Sequence, residues 1–315
     1  MLNWVSTSRL FALARQGRRL THPAAAIVLA ALFLVASQFI GGAPVYLLLW
    51  ALAPGGSTSL ADQPLPLGLG AGLLLAAVTL PVFGLLWAWL RWFERRPLST
   101  LGFERGGALG KYARGFLVGT AMFLASLGLS AALGYITVQP AGPALGLATF
   151  GGVLAMLLGW LVQGASEEAL TRGWLLGSLG ARYRPWVGVL ISSLAFAALH
   201  SLNPNLSGLA LLNLFLFGLF AALYALREGG LWGVCAEHSA WNWLQGNVFG
   251  LEVSGLTRTG PVMLNLRAQG PDFITGGAFG PEGGLAVTAV LVVAVAALVF
   301  WPRRAESGAA VPPPP

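Results

Sequence analysis

Apolar residues fill this chain in long runs separated by short polar breaks, the pattern of helices that cross a bilayer and not of a core that folds in water. A spanning helix needs about 20 mostly apolar residues. Runs of this kind fall at 24–42, 66–90, 114–137, 146–166, 186–200, 207–226, 230–250 and 284–302, which predicts an all-α, polytopic transmembrane helix bundle of eight spans. The run 44–53 is too short to span alone and reads as a re-entrant or interfacial piece. The pattern divides the chain into an N-terminal segment 1–23, a bundle over 24–302 and a low-complexity tail, 303–315, expected to be disordered. The polar and basic lead-in is too long for a signal peptide, and run 24–42 exceeds an h-region of about 7–15 residues. It is read as an uncleaved first transmembrane helix.

Composition agrees with this reading. Hydrophobic residues make up 56% of the 315 and charged ones 9%, against about 25% charged in soluble domains, so the chain cannot cover a water-facing surface. The net charge of +7 would suggest nucleic acid in a soluble protein. Here it follows from arginine-rich cytoplasmic loops, so the expected partner is the lipid bilayer, with no nucleic acid. If the N-terminus is cytoplasmic, all of the 18 lysines and arginines except Arg258 and Arg267 fall on the inner side, which predicts that both termini are cytoplasmic. The expected location is a bacterial plasma membrane. Cys235 is the single cysteine, so no intrachain disulfide or CxxC motif exists, and it reads as a small buried hydrophobe.

Ionisable groups are nearly absent from the spans, and the exceptions lie in the second half. They are Glu167 and Glu168 in "SEEALTR", His200 in "FAALHSLN", and Glu237 and His238 in "CAEHSAWN". An isolated carboxylate in hydrocarbon costs several kcal/mol, so such residues mark function. Counted from the turn "ARYRP", Glu167 and His200 both lie roughly 25 Å along their helices at about 1.5 Å per residue, hence at one depth. Glu168 and Arg172 are four apart, the spacing of a same-face ion pair, which leaves Glu167 free to face another helix. His238 and Asn242 are also four apart. A carboxylate, two imidazoles and an amide predict a polar cavity open to the cytoplasm. This set can activate water and hold an oxyanion. Glu237 lies off the His238–Asn242 face and receives no role, and His22 before Pro23 reads as interfacial.

At these residues the chain resembles the CPBP family of intramembrane proteases, named for CAAX-prenyl-protein and bacteriocin processing and also called the Abi family. "EEALTR" at Glu167 to Arg172 is similar to EExxxR, "FAALH" at Phe196 to His200 to FxxxH, and "HSAWN" at His238 to Asn242 to HxxxN. The resemblance covers roughly 146–250, and "RRPLSTLGF", Arg95 to Phe103, also looks typical of the family's cytoplasmic loop. It implies hydrolysis of membrane-anchored protein or peptide substrates, with water activated at Glu167 and His200, His238 and Asn242 supporting the oxyanion, and Glu168 and Arg172 supporting the site. It leaves two routes open. In one, Glu167, His200 and His238 hold a divalent metal such as zinc, three ligands with one position open to water. In the other the same residues act directly, which the placement of Asn242 one turn from His238 slightly favours.

Two rivals from other classes keep polar groups in membranes. A proton-coupled transporter would show inverted repeats with broken helices in both halves, whereas these residues are confined to one half. A noncatalytic scaffold or immunity protein has little reason to align all four polar groups. The orientation is checked by cysteine labelling: position 183 and the 91–114 loop should react from the cytoplasmic side, and 258–282 from outside. The reverse pattern would overturn the topology.

Overall fold

The computed structural model describes residues 3–52, 59, 66–139 and 146–300. The tail 303–315 expected to be disordered lies outside the described residues. Two short helices, α1 (Asn3–Ser6) and α2 (Arg9–Ala14), precede the long α3 (Pro23–Leu52). Next come α4 (Leu67–Thr79), α5 (Pro81–Trp89) with a π-helical end at Leu90–Glu94, and α6 (Ala108–Ala132). The second half holds α7 (Leu147–Glu168), a π-helical stretch Ala169–Leu176, and α8 (Gly177–Arg182), followed by α9 (Pro185–Leu199), α10 (Gly208–Glu228) and α11 (Trp232–Trp243). After a segment holding α12 (Asp272–Thr275), α13 (Leu285–Phe300) closes the described chain. Strands β1 (Ile136–Val138) and β2 (Leu266–Ala268) pair antiparallel, Thr137 opposite Arg267, and tie the two loops at one end of the bundle together.

Multi-pass, all-α architecture follows from this, but the count of eight spans does not. Among the described residues five helices are long and apolar enough to cross a membrane: Pro23–Leu52, Leu67–Glu94, Ala108–Ala132, Leu147–Arg182 and Gly208–Glu228. The helices α9 and α13 are apolar but shorter. At about 1.5 Å per residue the 15 residues of α9 fall short of a hydrocarbon core of about 30 Å. The 12 residues of α11 form an inner helix, buried without interruption from Gly233 to Asn242 and thus screened from lipid by its neighbours. The run 44–53 is no separate re-entrant piece, because α3 continues through Pro44 to Leu52.

Without a hydrophobic drive between helices in lipid, close association needs small residues that let backbones meet. Two pairs of glycines four apart supply this. Gly68 and Gly72 of α4 press on α7, where a Cβ on Gly68 would stand 2.4 Å from Gly152 O. Gly115 and Gly119 of α6 press on α11, where a Cβ on Gly119 would stand 2.3 Å from Glu237 O. The second contact fixes the helix that carries His238.

The arginine-rich end is held by a buried polar cluster. Arg96 Nε donates to Glu94 Oε2 at 2.6 Å, both side chains being fully enclosed. The other Glu94 oxygen accepts from Thr21 Oγ1 at 2.6 Å and Trp174 Nε1 at 3.0 Å, so the chain before α3, the end of α5 and the π-helical stretch meet at one carboxylate. Arg96 is therefore a structural cation and not a solvated loop charge.

Substituting Gly119 by leucine should separate α6 from α11 and lower stability by about 1–3 kcal/mol or more. Gly128→Leu, where nothing lies within 4 Å, should stay within about 0.5 kcal/mol. Unfolding of the two purified variants in detergent checks the contrast.

Candidate active site

The motif residues converge because α7, α9 and α11 meet around one buried ion pair. Glu168 closes α7 and Arg172 lies in the π-helical stretch that follows, a type of turn often found at functional sites. Arg172 Nη1 donates to Glu168 Oε1 at 2.8 Å and to Thr171 Oγ1 at 2.8 Å, with both ion-pair side chains fully enclosed. The same Glu168 oxygen lies 2.9 Å from His238 Nδ1. A carboxylate only accepts, so Nδ1 carries the proton and Nε2 points onward.

Arg172 also explains the phenylalanine of "FAALH". Its guanidinium carbon lies 4.3 Å from the centre of the Phe196 ring, a cation–π contact across α7 and α9. The carbonyl of Phe196 lies 2.8 Å from His200 Nδ1. A carbonyl accepts, so this imidazole too carries its proton on Nδ1 and leaves the Nε2 lone pair free. The ring of Phe217 on α10 meets His238 edge to face, with centroids 5.0 Å apart, and completes the apolar packing around the imidazoles.

Both imidazoles aim at Glu167. His200 Nε2 and His238 Nε2 each lie 3.9 Å from Glu167 Oε2, a buried oxygen with no hydrogen-bond partner in the protein. The other oxygen, Oε1, accepts from Gln163 Nε2 at 2.6 Å. Gln163 Oε1 in turn accepts from Asn242 Nδ2 at 3.0 Å. The structure thus brings Glu167, His200 and His238 together directly, and joins Asn242 to them through Gln163. Glu237 is fully enclosed, with neither oxygen hydrogen-bonded, and does not line the cavity. Gln163 was not among the residues singled out from sequence. Its signal was there: a lone carboxamide in an apolar helix one turn before Glu167.

These groups line a cavity of about 470 Å³. Leu34 and Val35 of α3, Leu75 and Val78 of α4 and Leu291 of α13 form an apolar wall, and Val35 is more than half exposed toward the lipid side. No residue of the arginine-rich loops lines the cavity, whereas Asn203, Ser254, Arg258 and Glu282 do, all from segments at the opposite end of the bundle. The segment after α11 folds back into the bundle there: Asn247 Nδ2 holds Thr259 O at 3.1 Å and Pro261 O at 3.0 Å, and Asn247 Oδ1 accepts from Trp160 Nε1 at 2.7 Å.

Of the two routes left open by the sequence, the one through a divalent metal is corrected. Among the described residues no group of three or more His, Cys, Asp or Glu side chains is arranged to hold a metal ion. Glu167, His200 and His238 do not fit a zinc site: each Nε2 stands 3.9 Å from Oε2, wider than the roughly 3.4 Å edge of a tetrahedron with bonds of about 2.1 Å.

Comparison with known proteins covers the segment that carries these residues. Residues 148–244 match the family described as type II CAAX prenyl endopeptidase, Rce1-like, a span that takes in all three motifs. An Escherichia coli protein described as an uncharacterized 24.3 kDa protein is 41% identical over 81 residues, which are 25% of this chain and 36% of that protein. The match thus spans about a third of that relative's length. No solved structure matches the chain.

Removing one member of a buried ion pair leaves the other uncompensated, at a cost of about 3–5 kcal/mol. Arg172→Met should therefore destabilise the protein by about that amount and loosen His238, which shares Glu168. Denaturant unfolding in detergent gives the cost, and an unchanged midpoint would refute the central place of this pair.

Proposed function

We propose, from the match of residues 148–244 to the Rce1-like family of type II CAAX prenyl endopeptidases and from the meeting of two imidazoles at Glu167, that this membrane protein hydrolyses peptide bonds of membrane-anchored proteins or peptides. The observation that carries the reading is Glu167 Oε2. It is buried, unpartnered and faced by two Nε2 atoms at 3.9 Å each. A water within about 2.8 Å of Oε2 would lie in reach of both imidazoles.

In this reading Glu167 and His200 act on the water. The proton on His200 Nδ1 is fixed by Phe196 O, so Nε2 is the basic nitrogen and takes the proton as the water oxygen bonds to the substrate carbonyl carbon. The carbonyl electron pair moves onto its oxygen. His238, as an imidazolium balanced by Glu168, donates from Nε2 to that oxyanion, and the Asn242 carboxamide supplies a second dipole. When the C–N bond breaks, the proton passes from His200 to the leaving amine. Gln163 orients both Glu167 and Asn242. The apolar wall from α3, α4 and α13 suits a substrate whose anchor stays in the hydrocarbon, and a lipid-modified or a transmembrane peptide would both meet that requirement.

Purified protein assayed on membrane-anchored peptides tests the assignment. Glu167→Gln and His200→Ala should each reduce kcat by at least about 10²-fold. His238→Ala should reduce it by about 10²–10³-fold, the loss seen on removing an oxyanion donor. Unfolding midpoints of Glu167→Gln and wild type should agree. Wild-type activity in Glu167→Gln would sink the reading.

A further inference from the structure

The cavity wall carries one more carboxylate. Glu282 comes from the 3-10 turn Pro281–Gly283, outside the matched residues 148–244, and lines the same cavity as Glu167, His200 and His238. Its place is fixed from both backbone and side chain. Glu282 O accepts from Asn213 Nδ2 of α10 at 2.7 Å, and the same amide holds Gly284 O at 3.0 Å. Glu282 Oε2 accepts from the backbone N–H of Ser254 and, at 3.1 Å, from its hydroxyl.

Ser254 is an unusual donor. Its φ of 50° lies in the left-handed region, which costs a residue with a Cβ about 1–2 kcal/mol. Such strain persists only where the surroundings over-determine it, and it collects at functional sites. Here the strained residue serves three hydrogen bonds. Its amide and hydroxyl hold Glu282, and its carbonyl accepts from Asn203 Nδ2 at 2.9 Å. Asn203 N–H donates to His200 O at 3.0 Å, so Glu282, Ser254, Asn203 and His200 form one connected chain. Glu282 and His200 line the same cavity, where a positive charge on the imidazole favours the charged form of the carboxylate.

We infer that Glu282 is a positioning residue of the hydrolytic site: its carboxylate, clamped by Ser254, stabilises the positive charge that His200 acquires on taking the proton of the attacking water. This rests on the assignment of His200 as a base. Glu282 itself takes no proton in the step. The water O–H bond breaks toward His200 Nε2, the freed pair forms the bond to carbon, and Glu282 supplies only a fixed negative charge.

The charge on Glu282 is itself sensitive to pH. Burial raises its ionisation above the ordinary carboxylate range, opposed by the Ser254 donors, by His200 and by the Gln245 amide. The supporting form is the charged one. Support is therefore full above that raised ionisation and lost as the pH falls through it. The other ionisable groups of the surrounding segments are Glu252, Arg258 and Arg267 of the stretch after α11 and Asp272 of α12, while α10 and α13 present the neutral Asn213 and Thr288 toward Glu282. Arg258 is engaged elsewhere, donating to Gly250 O and Asn265 Oδ1, each at 2.8 Å.

The test uses full-length protein in micelles and quenched-fluorescent peptides bearing a C-terminal farnesyl or alkyl anchor. Glu282→Gln should lower kcat about 10–100-fold, the range typical of outer partners of a site imidazole, with KM within about twofold. The acid-side loss of kcat, which His200 protonation produces in any case, should move to lower pH in the variant because the negative charge that favours the imidazolium is gone, and Glu282→Asp should restore part of the rate. A merely structural Glu282 would instead lower the unfolding midpoint and leave the pH profile unchanged. Either that result or wild-type kcat in Glu282→Gln, with Glu167→Gln inactive in the same assay, overturns the role of Glu282 alone. Absence of any cleavage by wild type and Glu167→Gln alike would overturn the protease reading, and this inference with it.

Discussion

Everything at the centre of this protein is arranged around one oxygen, Glu168 Oε1. It accepts from the Arg172 guanidinium and from the His238 imidazole at nearly the same distance, so the helices α7 and α11 are joined at a point from which water is excluded. Taking a carboxylate and a guanidinium out of water is expensive, and the loss is recovered only where geometry and further hydrogen bonds are good. The further partners are Thr171 Oγ1 for Arg172 Nη1 and the Phe196 face for the guanidinium carbon. That last contact draws in α9, whose Phe196 carbonyl then orients His200. The orientation of both imidazoles thus follows from a single buried ion pair.

The parts of this arrangement legible from sequence were those encoded by local helical spacing. Glu168 and Arg172 four apart predict their pairing, and nearly equal counts from the "ARYRP" turn place Glu167 and His200 at one depth, where they stand 3.9 Å apart. Phe196 is different. Its position in the motif is plain, but its two tasks, receiving Arg172 and holding His200, depend on the crossing of two helices. Gln163 was readable in principle, four residues before Glu167, since a carboxamide in an apolar helix needs a partner.

What was hidden depends on long-range packing. Hydropathy ranks α11 with the membrane spans, yet its 12 residues are enclosed by other helices, a distinction no local window carries. The polar segment after α11 has no periodicity and looked like an external loop. Its path into the bundle is set by Asn247 bonding carbonyls of residues 259 and 261, contacts between groups far apart in any periodic reading. The contribution of Ser254 and Arg258 to the cavity lining was hidden with it. The metal route, left open beside the direct one, fails on spacing: the donor types and their number can be read from sequence, but their separation cannot.

The helical rod from Leu147 to Arg182 bears on how the protein sits in membranes of different thickness. Its 36 residues extend for roughly 50 Å, well beyond a hydrocarbon core of about 30 Å, so it leans or protrudes, and the lean varies with the bilayer. Glu167 lies a little past the midpoint of the rod. A point near the pivot of a tilting rod keeps its height while the ends swing, and the ends here are the arginine-rich hairpin and the far loop. The depth of the carboxylate is thereby insulated from the lipid composition that sets the tilt.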